Sequence, residues 1–283
     1  MAFDPQRLLD WDFGEKRQGY TARDAILYAL GVGLPMTPGE SGDLDFLLED
    51  RLKVLPAFAV TLATPGMWPR EPALDIAWER LLHMAHAVRF HHPLPPAAEV
   101  VSTARVTAIF DRGADKGAVC HLERDITDAR DGTTYATILQ TLALRGEGGF
   151  GGAPVPRTER PAMPARAPDH ADSVATSERA ALIYRLSGDL NPIHADYGAA
   201  RRAGFDRPIL HGLASYGTAC AVILRAFCGG DPARLGSLDL RFAGVVMPGD
   251  RLEFACWRDG DRVLFEGRVG DRVVIDQGVA VLG

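Results

Sequence analysis

The two halves of this 283-residue chain repeat one another, and an ordered repeat confines it to folds built from two copies of one unit. Setting Tyr184 over Tyr28 places Arg179 on Arg23, Ala181 on Ala25, Leu182 on Ile26 and Leu186 on Leu30. Further on, Arg241-Phe242 falls on Arg89-Phe90. In each half a proline loop follows within six residues, Pro95-Pro96 in the first and Pro248-Gly249-Asp250 in the second. Each copy reads as one mostly buried helix followed by a meander of long strands, an α+β unit. The match is weak residue by residue but keeps its order. An old duplication explains that, and chance likeness of two α+β units is the alternative.

Local signals place the elements. Residues 21–33 read as a helix with Thr21 as N-cap, Asp24 three residues on as in a capping box, and Gly31 near its end. Its mostly apolar positions predict a largely enclosed helix. Residues 35–50 read as an acidic loop, and 51–64 as a buried apolar segment entered through Leu55-Pro56. Strand-like runs cover 80–90, 99–110, 117–128 and 133–145, with Asp111-Arg112-Gly113 and Asp131-Gly132 as turns; Asp-Gly between such runs marks a hairpin. The second half repeats the pattern at 251–258, 261–269 and 272–282. Between the halves, 146–170 holds five glycines and five prolines without periodicity, which describes a surface linker. The boundaries are therefore 1–145, 146–170 and 171–283.

Composition excludes several classes. A net charge of −6 argues against nucleic acid as a partner, because phosphate binding is driven by clustered cations. No apolar run approaches the ~20 residues that span a bilayer. Met1-Ala2-Phe3-Asp4-Pro5 lacks the basic and apolar regions of a signal peptide, and Val281-Leu282-Gly283 is not a peroxisomal tripeptide. Cys120, Cys220, Cys228 and Cys256 form no C-x-x-C pair, so they read as reduced, buried residues of a cytoplasmic protein.

The chemistry concentrates in Tyr184-Arg185-Leu186-Ser187-Gly188-Asp189-Leu190-Asn191-Pro192-Ile193-His194. The run begins as helix, and Pro192 forbids a regular helix beyond it, since its ring fixes φ and it has no N–H. Asp189 and His194 can hold and deprotonate a water between them, an adjacent carboxylate fixing the imidazole tautomer. Asn191 can orient the water or the turn. The alternative is a plain helix-ending turn, with Asn and Pro as turn formers. Next, His211-Gly212 precedes an apolar helix running from Leu213 to Phe227, whose first N–H groups can stabilise a developing oxyanion. In the plainer reading Gly212 only allows close packing and His211 is a satisfied core histidine. The first half has Gly33 where the second has Asp189, and Pro38 near the place of His194, so one chemical site per chain is expected. His83, His86, His91 and His92 do not define a metal site. The Gly-Gly-Phe-Gly-Gly run at 148–152 lacks the strand-then-helix setting of a dinucleotide loop and reads as linker.

The 184–194 run, followed by Gly204-Phe205-Asp206-Arg207-Pro208-Ile209-Leu210-His211-Gly212-Leu213, closely resembles the hydratase 2 motif of the MaoC-like dehydratase family, the (R)-specific 2-enoyl-CoA hydratases. The likeness extends to 23–33, 54–58, 148–152 and 241–243, nearly the whole chain. It matches the double hot-dog members, in which an antiparallel sheet wraps a central helix. The resemblance implies that Asp189 and His194 activate water for addition to C3 of a trans-2-enoyl thioester, with a proton delivered to C2 on the same face. It gives Asn191 a supporting role and the Gly212 N–H a hold on the thioester oxygen. Substrate-binding positions implied with them are Leu190, Pro192, Ile193, Phe242 and the pair His83-Met84, where Met84 stands in place of a glycine. A basic residue of the 111–117 turn contacts CoA in the family; Arg112 and Lys116 both qualify. The degenerate first half would take the acyl chain. No metal or other cofactor is implied, CoA being part of the substrate, and a homodimer is expected. A dehydratase of a specialised branched or dicarboxylic acyl-CoA pathway, a thioesterase, and a silent acyl-thioester-binding protein are the other readings.

Overall fold

The computed structural model describes residues 3–36, 42–157 and 161–283. Five α-helices, α1 (Pro5–Leu9), α2 (Ala22–Gly31), α3 (Ala180–Tyr184), α4 (Tyr197–Arg202) and α5 (Gly212–Phe227), accompany ten strands. The strands of the first half are β1 (Glu15–Tyr20), β2 (Leu81–Phe90), β3 (Ala98–Asp111), β4 (Ala118–Asp128) and β5 (Thr134–Leu144). Those of the second are β6 (His170–Ala175), β7 (Leu235–Phe242), β8 (Arg251–Asp259), β9 (Arg262–Val269) and β10 (Arg272–Leu282). The strands expected at 80–145 and 251–282 lie within a few residues of the sequence reading, whereas β1, β6 and β7 are not anticipated by it.

All ten strands form one antiparallel sheet in the order β1-β3-β4-β5-β2-β7-β10-β9-β8-β6. Read from either edge, the order is the same once each strand is exchanged for its counterpart in the other half. That symmetry is the repeat of the sequence made visible, and it is the double hot-dog arrangement. The halves meet at β2 and β7, with Ala85 opposite Arg241 and Arg89 opposite Ser237. A second seam lies on the helical side, where the Tyr28 and Tyr184 rings stand 5.8 Å apart.

The helix of the second half is α5. Its residues from Ala214 to Leu224 are all buried, so the sheet wraps it on most sides. Gly217 sets how closely it can approach α2: a Cβ there would lie 2.4 Å from Val32 Cγ1 and 2.7 Å from the Tyr28 hydroxyl. Thr218 Oγ1 donates to the Val32 carbonyl at 2.9 Å across the same contact. The helix stops at Gly229 and Gly230, with φ of 64° and 71°, as the Gly230 N–H turns back to the Leu224 carbonyl at 3.0 Å.

The apolar segment read at 51–64 is enclosed as expected. Its centre is a 3-10 turn, Pro56–Thr61, buried at every residue. Pro56 starts it, and Arg124 of β4 ends it by donating to the Val60 and Leu62 carbonyls at 2.7 and 2.6 Å. The helix α2 is less enclosed than its composition implies: Ala25, Tyr28 and Ala29 are buried, whereas Leu30 is 45% exposed. Its start keeps the expected box, the Asp24 carboxylate accepting from the Thr21 N–H and hydroxyl at 2.8 Å each.

The run at 148–152 is not free linker. Asp111 Oδ1 accepts the Gly149 N–H at 2.8 Å and its Oδ2 the Gly151 N–H at 2.7 Å. A Cβ at Gly148 would meet the Gly113 carbonyl oxygen at 2.2 Å, so only glycine can lie against the β3–β4 turn there. Glu147 is buried and accepts from the Ala77 N–H at 2.7 Å. Composition alone misreads this stretch, because glycines that permit flexibility also permit backbone to pack on backbone. The described residues from 161 to 169 carry no regular element and are mostly exposed, as a connector would be. Pro38 lies outside the described residues. No helix among the described residues is long and apolar enough to cross a membrane. All four cysteines are free and buried.

Candidate active site

The helix α3 runs through a 3-10 turn, Arg185–Ser187, and breaks at Gly188, whose φ of 121° suits glycine alone. The chain then folds on its own polar side chains. Asp189 Oδ1 accepts the Asn191 N–H at 3.1 Å, and Asn191 Oδ1 caps the turn Pro192–His194 by accepting the Ile193 N–H at 3.3 Å. Of the two uses open to Asn191, these bonds show the shaping of the turn. Gly188, Asp189, Asn191 and Pro192 thus bend five residues so that Asp189 and His194 face one spot.

His194 is buried, and its Nδ1 lies 2.9 Å from the Ile209 carbonyl oxygen. A carbonyl can only accept, so Nδ1 carries the proton and Nε2 is left as a bare acceptor. The tautomer is therefore fixed by a backbone carbonyl fifteen positions on, not by the Asp189 carboxylate as the sequence reading supposed. Burial lowers the His194 pKa below its ordinary value, against smaller raising effects from Asp189 and the Ile209 carbonyl. The ring is accordingly neutral near pH 7, the form a base requires.

Of the two sequence readings of His211-Gly212, the plainer one made His211 a satisfied core histidine; the structure leaves one of its ring nitrogens without a partner. Its ring stacks on that of His194, centroids 3.7 Å apart and planes 25° apart. Its Nε2 lies 3.2 Å from the Asp189 carbonyl oxygen, and its Nδ1 is buried with no hydrogen-bond partner. One ligand atom from each of Asp189, His194 and His211 lies within 4.8 Å of the others. A metal ion sits in the plane of each imidazole that binds it, and two rings stacked this closely to parallel have planes that do not meet between them. The trio is arranged for proton chemistry rather than for sharing an ion.

Gly212, next in the chain, is the first residue of α5 and is exposed, so its N–H opens outward from a helix start. A Cβ there would meet the Phe242 ring at 3.2 Å. Phe242 in turn packs edge-on against His83 at 5.1 Å, which brings β2 of the first half to the site. His83, a substrate-binding position implied by the resemblance, is paired with His86: His83 Nε2 and His86 Nδ1 are 3.2 Å apart. Burial drives the His83 pKa down to about 4 despite the nearby Asp189, and drives His86 well below the ordinary value. His91 and His92 lie apart from this pair, at the other end of β2, beside Thr137 Oγ1 and the Thr134 carbonyl at 3.0 and 2.9 Å.

The remaining sequence candidates divide. Met84 is half-buried on β2 beside His83, and Ile193 half-buried in the turn, whereas Pro192 is exposed and Leu190 is 62% exposed. Arg112 and Lys116 are both exposed on the β3–β4 turn. Strand register puts that turn at the same end of the sheet as His83 and Phe242: Leu81 lies opposite Leu144, and Leu144 opposite Ala118. Three strand spacings, about 14 Å, separate it from β7. No contact joins either side chain to the catalytic turn.

The neutral buried imidazoles set a pH dependence of stability. His83 and His211 titrate near 4 when folded, His211 chiefly through burial, against about 6.5 in the unfolded chain. Below about 6.5 the unfolded chain takes up protons that the folded one refuses, so stability falls as pH drops from there towards 4. The slope is about 1.4 kcal/mol per pH unit for each group. Urea unfolding is expected to show a lower midpoint at pH 5 than at pH 7, and equal midpoints would contradict the buried neutral assignment.

Comparison with known proteins identifies the family. A family described as MaoC like domain matches residues 159–279, and one described as MFE-2 hydratase 2 N-terminal domain matches 19–146. The chain is 39% identical over 271 residues to the 3-hydroxyacyl-thioester dehydratase Y of Mycobacterium tuberculosis, covering 92% of this chain and 91% of that one. It is 33% identical over 287 residues to the peroxisomal enoyl-CoA hydratase 2 of Arabidopsis thaliana, covering 95% and 92%. The crystal structure of a MaoC-like dehydratase from Phytophthora capsici superposes with a TM-score of 0.85 at 30% identity, over 99% of both chains. With its two hot-dog halves and its Asp–Asn–His turn in the second of them, the chain belongs to the MaoC-like dehydratase family, in the form that carries a hydratase 2 N-terminal domain.

Proposed function

We propose that the protein is an (R)-specific 2-enoyl-CoA hydratase, a hydro-lyase that adds water reversibly to trans-2-enoyl-CoA and gives (3R)-3-hydroxyacyl-CoA. One observation carries the reading: a carboxylate oxygen of Asp189 and a ring nitrogen of His194 lie within 4.8 Å of each other, beside the start of α5. Water sits between the Asp189 carboxylate and the bare Nε2 of His194. The base removes one proton as the oxygen forms its bond to C3. The C2–C3 π electrons move towards the thioester carbonyl, and a proton returns to C2 on the same face, so nothing is oxidised or reduced and no cofactor is required. The Gly212 N–H, at the positive end of the α5 dipole, stabilises the enolate oxygen. Asn191 keeps Asp189 and His194 in register through the turn.

The first half takes the acyl chain, entered past His83, Met84 and Phe242, while CoA runs towards the basic 112–116 turn. Either Arg112 or Lys116 meets its phosphates. Leu190, Pro192 and Ile193 form the rim on the other side. Leu182, Leu186 and Leu190 are all exposed, and a homodimer would cover apolar side chains of this kind. The four buried thiols agree with a cytoplasmic setting.

The test is direct. With crotonyl-CoA, the protein is expected to remove the conjugated-thioester absorbance and release no free CoA, and chiral analysis is expected to return the 3R product. A product of the other hand, release of CoA, or inertness towards short, medium and branched enoyl-CoAs each overturns the proposal.

A further inference from the structure

We infer that His211 is a positioning residue of this reaction, a clamp that locks the His194 ring and the Asp189 turn to each other and to the start of α5; the inference rests on the hydratase reading above. Two contacts of the side chain and its place in the chain make the clamp. The stack at 3.7 Å restrains rotation of the His194 ring, whose only other tether is the Nδ1–H bond to Ile209. The Nε2–H of His211 donates to the Asp189 carbonyl at 3.2 Å and so pins the backbone that carries the acid. His211 also stands at the N-cap of α5, directly before Gly212, so the side chain that holds the base and the acid is anchored at the start of that helix. Base, acid and oxyanion donor thus share a single mechanical link.

The fourth observation is a cost. Because Nε2 bears the proton, Nδ1 is a buried acceptor with nothing to accept from. An unpaired buried polar atom is unfavourable, because it has given up water without gaining a partner. A residue present only to fill the core would avoid it, since phenylalanine occupies the same space without it. The groups facing His211 are Asp189, His194, Arg185 and the Tyr184 ring, 4.8 Å away. Burial outweighs the Asp189 charge and keeps His211 uncharged, so the stack presents a neutral ring to the base and does not repel the proton that His194 must take up.

The experiment uses the full chain, crotonyl-CoA as substrate, and three replacements. His211→Phe keeps a flat ring and loses the donor, His211→Gln keeps a donor and loses the ring, and His211→Ala loses both. In His211→Ala, kcat is expected to fall by about 10–100-fold with KM within about threefold, because small misplacements of reacting groups cost on this scale. The other two variants are expected to lie between it and the parent. Removing the stack also admits water to His194, so its pKa, read from the imidazole nitrogen-15 resonances, is expected to rise towards the ordinary value. The acid limb of the kcat/KM profile moves with it. Full turnover in folded His211→Phe or His211→Gln, an unmoved limb, or a loss confined to KM overturns the clamp. If the parent protein hydrates nothing, the hydratase reading fails, and the resonances of His194 still report whether His211 holds that ring.

Discussion

Asp189→Asn and His194→Gln are each expected to lower kcat for enoyl-CoA hydration on the order of 10³-fold, the scale of a lost general acid–base contribution. Both changes spare the local geometry. Asparagine keeps an Oδ1 to accept the Asn191 N–H, and glutamine keeps an amide donor for the Ile209 carbonyl, the two bonds that shape and tether the turn. What each removes is the proton-accepting atom. Asp189→Asn loses an anion, and His194→Gln loses the bare Nε2 lone pair. The melting temperature is therefore expected to stay within about 4 °C of the parent, the shift that roughly 1 kcal/mol produces in a chain of this size. Activity lost together with the fold would speak for a merely structural turn. Activity retained in either variant would remove that residue from the chemistry.

The second large effect concerns stability. Arg124→Ala is expected to destabilise the protein by about 3 kcal/mol or more, read as a lower urea midpoint. Arg124 is 1% exposed, and no carboxylate among the described residues is recorded against it. It instead ends the buried turn Pro56–Thr61, holding two carbonyls that no other group reaches. Alanine leaves those carbonyls unpaired and opens a cavity at the centre of the first half. Burial of the lone cation is itself unfavourable and lowers its pKa to about 10, so the relief of that cost offsets part of the loss. Arg124→Met separates the two terms: it fills the space, leaves the carbonyls bare, and is expected to cost less than alanine. A midpoint unchanged in Arg124→Ala would mean that the buried turn holds itself in place.

Much of this molecule is legible along the chain, because the forces responsible are local. Alternation of apolar residues sets strands β2 to β5 and β8 to β10 within a few residues of their observed bounds. The ordered repeat anticipates a sheet that reads alike from both edges. The turn from Gly188 to His194 is shaped by bonds that span two residues, so its six-residue pattern carries both the conformation and the acid and base. Gly212 was within reach for the same reason, as the start of a helix marked by its own apolar run.

The misreadings lie where partners are distant in sequence. The glycines of 148–152 look like linker until Asp111, nearly forty residues earlier, is found holding two of their N–H groups. The short enclosed turn of the first half depends on Arg124, more than sixty residues beyond it. His83, which only the family resemblance singles out in the sequence, reaches the site because β2 pairs with β7. His211 had a local signal in its place before Gly212, but its importance comes from the ring stacked on it from the other side of a loop. What the sequence by itself determined is therefore the elements, their duplication and the reactive pair, since each depends on residues within a few positions of one another. What only the tertiary structure decided is the tautomer of the base, the clamp behind it and the wall in front of it, because those depend on which strands and loops the closed sheet brings side by side.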